Sequence, residues 1–153
     1  MLKKWIFLQL ICMFFLTACF NQNKIGEQFV GEINSLDGVT MTVVEETASP
    51  EGISIEVMNT TVKEIGSGNS SDYNLQVESD GKWYWLKENR SFGVTAEIYF
   101  YNKDKSVIYD LNWKDRYGSL PNGRYRIVKD FSEYHSKAGY STFFQLAAEF
   151  NLK

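Results

Sequence analysis

"SLPNGRYRIV" (residues 119–128) places a Leu-Pro-x-Gly turn directly before Tyr125 and an alternating strand. The dominant period from Val39 on is two. "VTMTVVEE" (39–46) sets Val39, Met41 and Val43 against Thr40 and Thr42, and "ISIEVMN" (53–59) sets Ile53, Ile55 and Val57 against Ser54, Glu56 and Met58. Alternation of this kind marks half-buried strands, here separated by a turn at Pro50 and Gly52. "GSGNSS" (66–71) has the composition of a loop. "DYNLQVES" (72–79) puts Tyr73, Leu75 and Val77 on one face, and Asp80-Gly81 then turns the chain into "KWYWLK". Asp-Gly between alternating segments predicts a type I′ hairpin, which needs φ > 0 at both central residues. "FGVTAEIYFYN" (92–102) and "SVIYDLNW" (106–113) predict a second hairpin across "KDK". "RYRIVKDF" (124–131) and "FFQLAAEFNL" (143–152) close the chain, the last with Phe144, Leu146, Ala148, Phe150 and Leu152 on one face. Helical periodicity is weak apart from a turn near "WKDRYG". Seven or eight short strands at regular spacing predict an all-β antiparallel sandwich or barrel.

Tyr125 narrows this choice. A turn followed at once by Tyr resembles the tyrosine corner of Greek-key sandwiches, where a hydroxyl at the start of the sixth strand bonds to upstream backbone. The ring would fill a corner of the core while its hydroxyl satisfies a buried polar group; the other reading is a plain hairpin with Tyr125 exposed. Together, "GVTMTV", "GKWYWL", "W…YGSLPNGRYRIVK" and "AAEF" resemble the bacterial Ig-like domains of small Firmicutes lipoproteins, over about residues 38–152 and most specifically over 113–129. The chain has "IYFYNKDKSVIYDLNW" where that family more often has a Pro/Gly-rich turn before its Trp. The resemblance implies an immunoglobulin-like Greek-key sandwich and brings no established activity or ligand.

At the other end, Lys3 and Lys4 precede an apolar run from Trp5 to Leu16 broken only by Gln9. Such a run is too short to cross a hydrocarbon core, which takes about 20 helical residues, and reads as a secretory signal. It closes on Leu16-Thr17-Ala18-Cys19, which resembles the lipobox of bacterial lipoproteins. That resemblance implies a diacylglyceryl group on the Cys19 thiol, cleavage before Cys19, and a membrane anchor on the extracytoplasmic face. Two acyl chains anchor stably where one binds marginally. The alternatives are an ordinary cleaved signal or a short uncleaved membrane segment. The chain thus divides into a signal peptide (1–18), a lipidated N-terminus and tether (19–38), and a sandwich domain (39–153). Within the tether, Ile25, Phe29, Val30 and Ile33 are also spaced to form a short helix or an added strand.

Losing residues 1–18 removes two lysines and no acid, so the formal charge goes from −3 to −5. With no basic run, the chain is a poor fit to nucleic acid or an anionic membrane surface. Cys12 leaves with the signal and Cys19 takes lipid, so the domain has no disulfide and no thiolate. Its core alone must hold it.

Catalytic and metal chemistry find little support. His135 is the only histidine, expected in a loop between the last two strands, and neither G-x-S-x-G nor H-E-x-x-H occurs. Glu45 and Glu46 are strand neighbours pointing to opposite faces, while Asp72, Asp110, Asp115 and Asp130 are scattered near strand ends. Neither a cofactor nor a metal is expected, nor is enzymatic activity. "KWYWL" (82–86) offers the one candidate site: Trp83 and Trp85 project from a single face, about 7 Å apart along a strand. Facing solvent, they form a platform for sugar rings or a patch for a protein. Facing the core, which is the expectation for at least one of them, they are filler, and Tyr84 and Leu86 point outward. The functional expectation is a lipid-anchored extracytoplasmic binding or adaptor domain with a protein partner in the envelope. The alternative is a cell-wall carbohydrate-binding module using Trp83 and Trp85.

Overall fold

Among the described residues, period-two alternation becomes ten strands, all paired antiparallel. The computed structural model describes residues 24–90, 93, 97–135 and 137–153. In chain order the strands are β1 (Ile25–Gln28), β2 (Val39–Val43), β3 (Gly52–Asn59), β4 (Glu64–Ser67), β5 (Asn74–Ser79), β6 (Lys82–Leu86), β7 (Tyr99–Tyr101), β8 (Lys105–Asn112), β9 (Gly123–His135) and β10 (Tyr140–Leu152). One helical turn, α1 (Lys114–Tyr117), precedes β9. The small sheet runs β2-β3-β8; the other seven strands form the large one. β9 is its spine. β10 pairs along one edge of β9 through all thirteen residues of each strand. On the other edge β5 takes the first half and β4 the second. β6 and then β1 continue outward from β5, and β7 from β4.

The inward faces are those the alternation names. Val39 and Met41, Ile53, Ile55 and Val57, Leu75 and Val77, and Leu146, Ala148, Phe150 and Leu152 share one buried core. Tyr125 is wholly buried, stacks on Phe150 at 5.6 Å, and its hydroxyl donates to the Pro121 carbonyl at 2.8 Å. The tyrosine corner is therefore formed. Beside it Trp113 lies 5.6 Å from Phe150 and donates its indole N–H to the Pro50 carbonyl at 2.9 Å. The Asp80-Gly81 hairpin has the expected positive φ at both residues, 52° and 74°.

The second predicted hairpin does not form. β7 pairs with β4 in the large sheet and β8 with β3 in the small one, so the chain crosses between sheets at "NKDK". Tyr101 and Tyr109 both point into the gap and meet across it, hydroxyl to hydroxyl at 2.8 Å, instead of lying side by side. The count exceeds seven or eight because β1 and β4 add to the predicted strands; "GSGNSS" is a loop only from Gly68 on.

β4 and β5 are two halves of one strand. Six residues, Gly68 to Tyr73, separate them, where β9 passes with only Lys129 and Asp130. This loop is fastened from inside the sandwich. Lys129, 1% exposed, donates to the Asn69 and Asp72 carbonyls at 2.9 and 2.5 Å. The Ser67 hydroxyl donates to the Gly68 carbonyl and lies 2.7 Å from the Tyr101 hydroxyl. Each hydroxyl has one proton, so the chain runs Tyr109 to Tyr101 to Ser67 to Gly68.

Asn59 is likewise a fastener. Fully buried, it donates to the Lys63 and Tyr101 carbonyls and accepts from the Thr61 N–H and hydroxyl. Asn59→Ala orphans buried groups and is expected to cost about 2 kcal/mol, read as a lowered urea midpoint at constant m-value. His135 ends β9 instead of sitting in a loop, with its ring 3.1 Å from the Thr142 hydroxyl.

Candidate binding faces on the large sheet

The outer face of the large sheet carries the candidate site. In an antiparallel pair directly opposed residues share a face. Val77 is in the core and opposes Tyr84; Gln76 opposes Trp85 and Glu78 opposes Trp83. Tyr84 and Leu86 therefore pack inward, and Trp83 and Trp85 both face outward, half-buried. The expectation that at least one Trp fills the core is corrected. The Asp80-Gly81 turn sets the register, and with it the faces.

What half-buries them is the chain's own N-terminal segment. β1 pairs with the β6 edge, and the Phe29 N–H still donates to the Trp83 carbonyl at 2.8 Å. Five residues later the Asn34 N–H donates to the Gln145 carbonyl on β10, and its side chain pairs with Ala147 N–H and carbonyl at 2.9 and 3.4 Å. β6 and β10 flank the β5–β9 pair, so residues 29–34 cross the sheet's outer face. Three inter-strand spacings of about 4.8 Å are within reach of five residues at about 3.4 Å each. This strap continues through Leu36, which packs on the core, into β2. The predicted tether therefore divides: 19–23 lie outside the described residues, and from Lys24 on the segment packs on the folded domain; of the four residues spaced for an added strand only Ile25 lies in β1.

Beneath the strap lies an unusual set of groups. The Arg126 guanidinium stands 4.3 Å from the Trp83 ring and 4.9 Å from Phe29, and Arg126 is 4% exposed. Its Nε donates to the Gln76 side-chain carbonyl at 2.6 Å. Burial pushes its pKa down, opposed by the nearby Glu149 carboxylate. That carboxylate is itself engaged by Arg124 at 2.5 Å, whose guanidinium also stands over Trp83. Trp85 meets the Phe29 ring edge-on at 5.5 Å. The two indoles are covered by cations and a phenyl ring and do not form an open sugar platform.

The far half of the same face is bare. Ile98 and Phe100 beside β4, and Phe143 on β10, are 55, 51 and 77% exposed. Tyr134 leans on Phe100 at 5.3 Å. Gly66 permits this arrangement, since a Cβ there would meet the Tyr134 ring at 3.0 Å and Ile98 at 3.1 Å. Between Ile98, Tyr134 and Phe143 runs a groove of about 540 Å³, lined also by Asp72, Glu97 and Asp130 and, among the described residues, by no Lys or Arg. Sequence reasoning missed this patch, although its signal is present: Phe143 is the large apolar residue of β10 out of step with Phe144, Leu146, Ala148, Phe150 and Leu152.

Cys19, the predicted lipid attachment point, lies outside the described residues. Among the described residues no three His, Cys, Asp or Glu side chains are grouped to hold a metal, and no helix is long and apolar enough to cross a membrane. No match was found among curated proteins or among solved structures. A family model described as bacterial Ig-like domain matches residues 35–151. With that match over a two-sheet antiparallel sandwich closed by a tyrosine corner, the chain belongs to the bacterial Ig-like domain family.

Proposed function

We propose that this protein is a lipid-anchored extracytoplasmic adaptor that acts by binding, without catalysis, and that it contacts an envelope protein through the groove between Ile98 and Phe143. The observation that carries this reading is the pair of exposed side chains Ile98 and Phe143 lining that groove, with exposed Phe100 leaning on Tyr134 beside it. Exposed apolar patches rimmed by polar residues mark interaction sites. Three carboxylates line the groove with no Lys or Arg among its described lining residues, and the nearby cation Lys129 is buried on the inner face. The occupant that fits is a protein segment with an apolar anchor flanked by Lys or Arg. Anchoring rests on the Leu16-Thr17-Ala18-Cys19 sequence behind an apolar run, as in the small lipoproteins this chain resembles.

The test is cross-linking of the full-length protein in living cells, with mass spectrometry of Cys19. One dominant protein is expected, its capture falling at least tenfold in Phe143→Asp and in the double substitution Glu97→Lys, Asp130→Lys, and lost in Cys19→Ser. Phe143 is 77% exposed, so its replacement leaves stability nearly unchanged. Capture that is indifferent to the groove substitutions, recovery of glycan fragments alone, or an unmodified Cys19 would overturn the corresponding part of the reading.

A further inference from the structure

The covered half of the outer face contains two buried donors with no acceptor among the described residues. Arg126 and Gln76 are 4% and 0% exposed, yet Nη2 of the one and Nε2 of the other meet no hydrogen-bond partner among those residues. The two side chains are joined by the 2.6 Å hydrogen bond from Arg126 Nε to Gln76 Oε1, so the unmatched N–H groups belong to one cluster. Among the described residues no carboxylate forms an ion pair with Arg126, and Glu149 is spent on Arg124. A buried cation normally has a hydrogen-bonded counter-charge, and a buried donor normally has an acceptor. This set lacks both.

The group these donors would receive is an oxygen acceptor carrying negative charge, and a carboxylate is the one a guanidinium edge receives best. Trp83 and Phe29 wall the guanidinium at 4.3 and 4.9 Å and leave its edge as the binding element. Phe29 belongs to the strap, which is fastened at its ends by Lys24 and Asn34 and held lightly between them. β1 is four residues long with an irregular register, and residues 27, 28, 30–32, 34 and 35 are exposed. Segments with few buried contacts and solvent-facing backbone bonds open at low free energy. We propose that Arg126, Gln76 and Trp83 form a carboxylate-binding site that residues 24–34 cover as a displaceable strap. A ligand of this class, a small organic acid or the free C-terminus of a peptide, competes with Phe29 for the site. Binding and release of the strap are then one event.

The test uses full-length protein in detergent, with acetate as probe, chloride at matched ionic strength as control, and NMR of the Arg126 Nε–H and Gln76 side-chain amide. Saturable shifts with acetate and none with chloride are expected, with an apparent affinity at least tenfold higher in Phe29→Ala, which removes the cover and keeps the donors. In wild type, hydrogen exchange of the Lys24–Gly31 amides is expected to accelerate as acetate rises, a readout that stands even if Phe29→Ala folds poorly. A free tripeptide binding more tightly than acetate, and than its own C-terminal amide, identifies a chain terminus as the natural group; equal binding of acetate and tripeptide identifies a small acid. No saturable shift, equal shifts with chloride, or a slowly exchanging water that stays bridged between the two donors in acetate would overturn the proposal.

Discussion

Tyr125→Ala is expected to lower stability by about 3–5 kcal/mol, the range for removing a buried aromatic side chain. That is a large share of the 5–15 kcal/mol that holds a typical domain, so the variant is expected to populate unfolded chain at 37 °C. The cost is concentrated because Tyr125 does two things at once. Its ring fills the corner between Phe150 and the Pro121 turn, and its hydroxyl is the donor that satisfies Pro121. Tyr125→Phe separates them: the ring stays, one carbonyl is orphaned, and about 1 kcal/mol is lost. Urea unfolding of the three proteins reads both numbers as midpoint shifts at equal m-value. The pH dependence follows from the same burial, which pushes the hydroxyl up to about 12. A folded pKa above the unfolded value near 10 gives stability that is complete below pH 10 and is lost as pH climbs from 10 to 12. Tyr125→Phe lacks that component. A Tyr125→Phe midpoint equal to that of Tyr125→Ala would show that the hydroxyl, not the ring, holds the corner.

The corner was legible because its parts are contiguous: turn, tyrosine and strand lie within ten residues. Most strands were legible for a similar reason, since alternation is local. Which strand pairs with which is not local. β7 and β8 follow one another at hairpin distance, yet they pair into different sheets, and Tyr101 and Tyr109 meet between those sheets. The Trp pair failed differently. In "KWYWL" both parities are large and apolar, so alternation says that Trp83 and Trp85 share a face without saying which face is inner. Only the partner strand, with Leu75 and Val77 inside, settles it. The strap was illegible because its residues bind by reaching across four strands, with one aromatic and one Asn, and such contacts leave no period. The bare patch escaped notice because Ile98 and Phe100 alternate with the inward Tyr101 and read as ordinary strand residues. Lys129 is the opposite case: Tyr125, Ile127, Lys129 and Phe131 share one parity, so the strand itself places a lysine in the core.

That lysine carries the second large effect. Lys129→Ala leaves the Asn69 and Asp72 carbonyls without their donor inside the sandwich and empties the volume of a long side chain, at an expected cost of about 3 kcal/mol. The charge on Lys129 works against the fold. Burial pushes its pKa down to about 8, although the Asp72 and Asp130 carboxylates pull the other way, and the Tyr109 ring 5.9 Å away adds only a weak cation–π contact. An unfolded lysine titrates near 10.4, so between pH 8 and 10 the unfolded chain holds more protons than the folded one. Stability therefore rises with pH across that window, by about 2 kcal/mol, and the penalty is present in full below pH 8. The neutral amine still has two N–H groups, which match the two carbonyls. Lys129→Met keeps most of the volume and abolishes the titration. Its own loss of two hydrogen bonds lowers stability at every pH, while its profile from pH 8 to 10 is expected to be flat where wild type climbs. Comparing the two proteins cancels the buried tyrosines, whose raised pKa values destabilise only above pH 10 in both. Parallel profiles would mean that Lys129 stays charged in the folded state, held by Asp72 and Asp130 more strongly than burial opposes them.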